Sequence, residues 1–371
     1  MMVAIAANLF AQITVTNANF PAAGDTLFYA TDLSPDGVTI TPPGGANWDF
    51  TGLNADFQST IVFKPASEGS AAPSFPTASL VRIGTGGQSE TYYAASANKF
   101  EKLGYHGNDP TVAGLPIQTT FPYSPPLTER RAPMKFFDIN QLSSSINIAF
   151  SVPDLGPLAD SLPIAAFADS VRIRGIINRL DVVDAFGSLA IPGGTYNVLR
   201  EKRTEYRDTR LDVHTFLGWQ DITNLVLGAG GGIADGFGTD TVISYLFMSD
   251  TEKEIIAEVN TSADGLVPRS VRFKDNDILN ALGDATDSTP QVLISPNPAS
   301  GQVVFSMKNL APGNYSLRLV DVRGRAVLRS KLNNAENTVR FDNMSGGTYF
   351  YQVFDENNRA VGSGKLLIIS Q

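Results

Sequence analysis

The feature that most constrains this chain is an alternation of apolar and polar residues with a period of two. In "SVRIRGIINRLDVVD" Val171, Ile173 and Ile177 share one face, while Arg172, Arg174 and Asn178 share the other. "KEIIAEVNT" sets Ile255, Ala257 and Val259 against Ile256 and Glu258, and "RSVRFKD" sets Val271 and Phe273 against Arg272 and Lys274. Successive side chains of a strand point to opposite faces, so this pattern marks antiparallel strands with one face dry and one wet. No stretch carries the period of an amphipathic helix of ordinary length. Only Asp138–Leu142, Pro157–Ala168 and Asn276–Leu282 read as short helices. The 33 glycines and 22 prolines supply the turns that many short strands need. One device recurs: "PGGTYNVL" at Pro192, "PGNYSLRL" at Pro312 and "GGTYFYQV" at Gly346, in which glycine makes a turn and tyrosine opens a strand. The chain is predicted to be all-β.

The strands fall into two domains. "FKDNDILNALGDATDSTPQ", from Phe273, is acidic and turn-rich, and the charge balance changes across it. Residues 291–371 carry nine Lys or Arg against five acids, a charge of +4, which leaves −13 for the rest of a chain whose net charge is −9. This supports an acidic linker at 276–291 between a β-rich passenger, residues 13–275, and a C-terminal domain, residues 292–371. The passenger reads as one large twisted antiparallel sheet or open barrel of roughly ten or more strands. The Pro-rich "SVPDLGPLADSLP" makes 150–170 a candidate internal boundary. In the C-terminal domain seven strands begin near Val292, Val303, Tyr315, Ala326, Thr338, Tyr349 and Lys365, with turn signals between them. Seven short alternating strands at this spacing predict an immunoglobulin-like β-sandwich.

The first residues, "MMVAIAANLFAQ", are apolar and then polar. They have the h-region and cleavage site of a secretory signal, with the cut at Ala11 or Gln12, but no positive n-region. The expectation is a truncated signal peptide over 1–12; a buried first strand is the alternative.

The C-terminal domain also carries an ordered set of short motifs. They are Pro296-Asn297-Pro298, Gly313 with Tyr315, Asp321 with Gly324 and Arg325, Gly346-Gly347 with Tyr349, and Gly364-Lys365 followed by an apolar strand. In order, spacing and terminal position they resemble the type A C-terminal sorting domain of proteins exported by the type IX secretion system of Bacteroidota. The resemblance covers about a fifth of the chain. It implies an all-β tail that guides a folded passenger across the outer membrane, so that the protein is secreted or displayed on the cell surface. It also implies three partners: the type IX machinery, its sortase-like processing protease, which removes the tail, and surface lipopolysaccharide. Ser295 stands where that family often has an aromatic residue. In the passenger, "GDTLFYATD", "WDFTGL" and "IPGGTYNVLREKR" resemble segments of other passengers that carry this tail, and they bring no activity with them.

Composition narrows the chemistry. With no cysteine there is no disulfide, thiolate nucleophile or Cys-ligated metal. Two histidines, His106 and His214, make a multi-imidazole metal site improbable, and the negative charge argues against nucleic acid. No apolar run is long enough for a membrane-spanning helix. Neither histidine lies near a Gly-x-Ser-x-Gly elbow. "LGAGGGIADGFGTD" contains a partial dinucleotide fingerprint, but a strand pattern follows it where a helix is required. Asp275, Asp277, Asp284 and Asp287 lack the spacing of a calcium loop.

Asp181, Asp184, Glu201, Glu205 and Asp208 offer carboxylates for glycoside hydrolysis. "REKRTEYRD" alternates charge, however, and reads as a solvent-facing strand of surface ion pairs. Trp48 and Trp219 are the candidate sugar contacts, with burial in the core as the competing reading. No cofactor is implied. The expected function is a non-enzymatic adhesive, structural or binding module. Two alternatives are a carbohydrate-binding or weakly glycan-processing protein and a carrier of an apolar ligand.

Overall fold

The computed structural model describes residues 12–84, 87, 89–108, 118–155, 168–229, 236–276, 291–295, 297–308, 310, 313–321, 325–333, 336–341, 344–356 and 360–368. The chain forms two compact units, one of Met1–Asn54 with Ser59–Asn276, the other of Ala55–Gln58 with Asp277–Gln371.

In the first unit the strands are β1 (Thr26–Asp32), β2 (Gly44–Asp49), β3 (Phe57–Pro65, of this unit from Ser59), β4 (Leu80–Ile83), β5 (Ser89–Ala95), β6 (Lys99–Asn108) and β7 (Gln118–Arg131). They continue as β8 (Ile139–Ser151), β9 (Ser170–Ile191), β10 (Gly194–Thr215), β11 (Gly218–Asp221), β12 (Gly238–Met248), β13 (Ile255–Thr261) and β14 (Pro268–Lys274). Among the described residues an α-helix, α1 (Thr223–Ala229), lies between β11 and β12. The sheet runs β10-β12-β13-β14-β1-β3-β4-β5-β6-β7-β8-β9 and returns to β10, closing a 12-strand barrel. The alternation already indicates a large antiparallel sheet; the closure comes from the long β9–β10 hairpin. Its strands, 22 residues each, turn at Pro192-Gly193, where Gly193 takes φ +76°, a conformation that favours glycine. β2 pairs parallel with β9, Ala46 opposite Gly187. A Cβ at Gly187 would stand 1.7 Å from the Ala46 carbonyl oxygen, so only glycine admits this approach.

Three expectations change. Asp138–Leu142 is not helical: from Ile139 it is the start of β8, paired with β9. A segment this short cannot repay helix nucleation, whereas the β9 ladder satisfies its backbone. Pro157–Ala168 and Asn276–Leu282 lie almost wholly outside the described residues. The Pro-rich stretch near 150–170 joins two strands that pair directly, up to Ser151 opposite Ser170, and so connects a hairpin within one unit. The Gly-rich segment follows its sequence reading: α1 precedes it and β12 begins at Gly238, so no helix N-terminus follows those glycines among the described residues. Finally, "REKRTEYRD" is not a solvent-facing strand. Its Glu201, Arg203 and Glu205 are buried on the inward face of β10.

Among its described residues the second unit has seven strands: β15 (Gln291–Ser295), β16 (Gln302–Lys308), β17 (Tyr315–Asp321), β18 (Ala326–Leu332), β19 (Glu336–Arg340), β20 (Gly347–Phe354) and β21 (Ala360–Ile368). They form one sheet ordered β15-β16-β19 and another ordered β18-β17-β20-β21. Inward residues of both sheets share one core, with Phe305, Leu317, Leu319, Val353 and Leu366 almost fully buried. Phe305 of one sheet meets Tyr351 of the other edge-on at 5.2 Å. This is the expected sandwich.

Candidate functional site

The C-terminal motifs are brought together at the start of β15–β16 and along β21. Asn297 reaches the last strand with both ends of its amide: its Nδ2 donates to the Lys365 carbonyl at 2.9 Å, and its Oδ1 accepts from the Leu367 amide at 2.8 Å. The Ala299 amide then donates to the Leu367 carbonyl, a short parallel bridge onto the end of β21. An asparagine carries an amide NH2 with two donor hydrogens and a carbonyl oxygen with two acceptor sites on a short stem, and this clamp uses both functions. Pro298 follows it at the surface, and Pro296 lies outside the described residues.

The other motifs shape turns and leave room for rings. Asp321 accepts from the Arg325 amide and from its Nε, while the Asp321 amide donates to the Arg325 carbonyl, tying the end of β17 to the start of β18; Gly324 lies outside the described residues. Gly313 precedes Tyr315, whose ring enters the sandwich core. Gly346 and Gly347 lead into β20, with Gly347 at φ +157°, and the Tyr349 hydroxyl donates back to the Ser345 carbonyl at 2.8 Å. Gly364 leaves space for Tyr351: a Cβ there would stand 2.7 Å from the Tyr351 hydroxyl. Lys365 is exposed beside the buried Leu366.

In the barrel, inward charges form a continuous network. Glu129 of β7 accepts from Lys102 Nζ at 3.1 Å and lies 3.6 Å from Arg203 Nη1 of β10. Since β8 and β9 separate β7 from β10 in the sheet, this contact spans the lumen. Arg203 also meets Asp181 at 3.1 Å and Glu201 at 2.9 Å. Arg179, almost fully buried, lies between Asp181 at 3.3 Å and Glu205 at 3.4 Å. Burial alone would raise the Glu129 carboxyl, but Lys102, Arg203 and Arg179 together hold it down at about 2. Glu201 moves the other way: burial, with Asp181 beside it, outweighs its arginines and raises it. The Glu205 carboxyl is lowered against its own burial, chiefly by Arg207. Removing one member of such a network strands buried charge, which costs about 3–5 kcal/mol.

The remaining candidates separate. Asp184 is tied to Arg200 at 2.8 Å, and Asp208 to Arg210 at 2.6 Å. Trp48 is 4% exposed, edge-on to Phe247 at 5.0 Å, with its indole N–H donating to Thr41. It is a core residue with no ring face open to a sugar. Trp219 is half-buried on edge strand β11, with the Arg172 guanidinium 4.3 Å over its ring and His214 at 5.1 Å. His214 Nδ1 meets Asp169 at 3.0 Å, but no hydroxyl bonds its other nitrogen among the described residues, so no triad forms. His106 pairs with Thr120. Asp277, Asp284 and Asp287 lie outside the described residues, and no metal-ligating cluster occurs among the described ones.

Sequence reading missed the lumen. Its signal is that Arg179 and Asp181 stand in phase with Val171, Ile173 and Ile177, interrupting an apolar face with charge.

No curated protein matches the chain. Among solved structures it is similar to dimeric latent PorU from Porphyromonas gingivalis, at 12% identity and a TM-score of 0.21, over 94% of this chain and 30% of that one. It is also similar to the BSP domain of a biofilm associated protein, at 9% identity and a TM-score of 0.20, over 100% of this chain and 85% of that one. Neither likeness bears on fold or activity. Residues 293–369 match the secretion system C-terminal sorting domain. This stretch holds the Asn297 clamp and the whole sandwich core. The C-terminal unit is therefore a type IX secretion sorting domain, and the protein that carries it is exported, to the cell surface or beyond.

Proposed function

We propose that the barrel is the delivered passenger and works outside the cell as a non-enzymatic module, structural or adhesive. The supporting observation is the state of its lumenal acids. Glu129, Asp181, Glu201 and Glu205 each face at least one cation within 4 Å, as expected of groups that hold strands together. A catalytic carboxylate pair needs one member kept protonated and both open to substrate. In this reading the type IX machinery engages the sandwich, a sortase-like protease removes it within 277–290, and the passenger is attached to lipopolysaccharide or released.

Fractionation of cells making the full chain and a form ending at residue 290 tests the route. Full-length protein reaches the surface, and mass spectrometry finds a passenger that ends before residue 291; the shortened form stays inside. Surface delivery of the shortened form overturns the route. Glycan hydrolysis by the purified chain that Glu129→Gln abolishes overturns the non-enzymatic reading.

A further inference from the structure

The barrel lumen holds a cavity of about 210 Å³ whose wall is divided in character. One side is aromatic. Phe63, Tyr93 and Phe100 touch one another, with Tyr93 and Phe100 stacked at 5.1 Å and Phe63 edge-on to both. The other side is cationic: Arg82, which is solvent-exposed, and Lys102, Arg130, Arg203 and Arg272 line it against a single lining carboxylate, Glu129.

Most of these cations are balanced. Lys102 has Glu129, Arg203 has Asp181 and Glu201, and Arg272 has Glu258 at 2.5 Å. Arg130 is different. Its Nη1 donates to the backbone carbonyls of Asn19 at 3.1 Å and Lys253 at 2.6 Å, and no carboxylate bonds it among the described residues. Burial, with Arg272 and Arg203 nearby, pulls its pKa down against the opposing effects of Tyr29 and Glu129. A half-buried guanidinium held only by carbonyls is an uncompensated charge, and the cavity adjoins it. The space is also accessible from within: Lys102 and Arg272 keep 27% and 31% of their side-chain surface exposed although they line the lumen.

We propose that this cavity binds a small organic carboxylate with a flat apolar body. The carboxylate sits on Arg130, flanked by Lys102 and Arg272, and the body lies against the Phe63–Tyr93–Phe100 wall. A guanidinium fork matches a carboxylate in geometry and charge. The volume suits a ligand of one ring, since an apolar protein cavity of about 150 Å³ already admits benzene. This site goes beyond the reading of the barrel as a non-enzymatic module, and it stands or falls separately from it.

The test is calorimetric titration of the full chain with benzoate, benzyl alcohol and benzylamine, which share a ring and differ in head group. Benzoate binds one to one and at least tenfold more tightly than benzyl alcohol, and benzylamine does not bind. Arg130→Met weakens benzoate at least tenfold. Because Arg130 also braces two carbonyls, that variant is compared only if its circular dichroism and melting match the parent; the head-group series on the unaltered chain decides otherwise. Equal binding of benzoate and benzyl alcohol overturns the proposal, as does the absence of saturable benzoate binding. So does a folded Arg130→Met that binds benzoate like the parent. Hydrolytic activity on glycans contradicts the non-enzymatic reading and leaves this site untouched.

Discussion

The barrel lumen and the sandwich core are both enclosed by antiparallel strands, yet they are filled by opposite kinds of residue. The sandwich packs Val303, Phe305, Leu317, Leu319, Val353 and Leu366 between two sheets, with no buried charged residue among its described ones. The barrel buries Arg179, Asp181, Glu201, Arg203 and Glu205 along one stretch of hairpin. The difference follows from geometry. Two sheets of three and four strands stand about 10 Å apart, a gap that apolar side chains close from both sides. Barrel diameter grows with strand number, and about eight strands give an interior that side chains just fill. Twelve strands leave a wider space. Leucine and valine cannot reach across it, whereas arginine, lysine and glutamate can, and once inside they must pair. Aliphatic and aromatic clusters fill the remainder, one around Val171, Ile173, Leu211 and Val213, another around Leu27, Tyr29, Phe63 and Phe100.

If paired charge holds the wide interior, the largest effect falls on its hub. Arg203→Met leaves Glu201 without its cation and removes one of the cations that face Glu129 and Asp181, and should cost the passenger about 3–5 kcal/mol in urea unfolding, with the sandwich transition unchanged. A loss below about 1 kcal/mol would remove the network as the explanation of the filled lumen. The matching change in the sandwich is Phe305→Ala, expected to cost about 3–4 kcal/mol in the sandwich transition alone.

Acid should separate the two units next. The Glu129 carboxyl titrates near 2 in the folded protein against 4.5 ordinarily. A lowered carboxylate stabilises the fold above its unfolded value, and that contribution disappears as pH falls from about 4.5 towards 2, here roughly 3 kcal/mol. Thermal melts across this window should show the barrel weakening while the sandwich, with no buried carboxylate among its described residues, holds. The smallest effect is expected at Glu201, where burial raises the carboxyl. Its charge is a burden at neutral pH, so Glu201→Gln should leave stability unchanged or raise it by up to about 1 kcal/mol at pH 7. A loss of 2 kcal/mol or more would mean that the Arg203–Glu201 pair contributes more than its burial costs.

Much of this architecture was legible in the chain itself. Alternation in "SVRIRGIINRLDVVD" places β9, and turn chemistry places all seven strands of the sandwich, because both signals are local. The C-terminal motifs were legible as an ordered set. Their mechanics were not: that Asn297 clamps β21 depends on two segments nearly 70 residues apart meeting in space. The lumen was misread for a related reason. A strand with charge on alternate positions looks the same whether that face meets water or a wide interior, and only closure through β9 and β10 decides. Trp48 follows the same logic, since its burial depends on the sheet that Phe247 brings beneath it.

The pairing of β1 with β14, Tyr29 opposite Lys274, sets an order in time. The barrel's opening strand waits with an unpaired edge until the last strand of the unit has been synthesised, and only then can the ring shut. The sorting domain lies beyond that strand. A chain broken off early therefore lacks both its closing strand and its address, and the address travels only on chains that already contain everything the barrel needs to close.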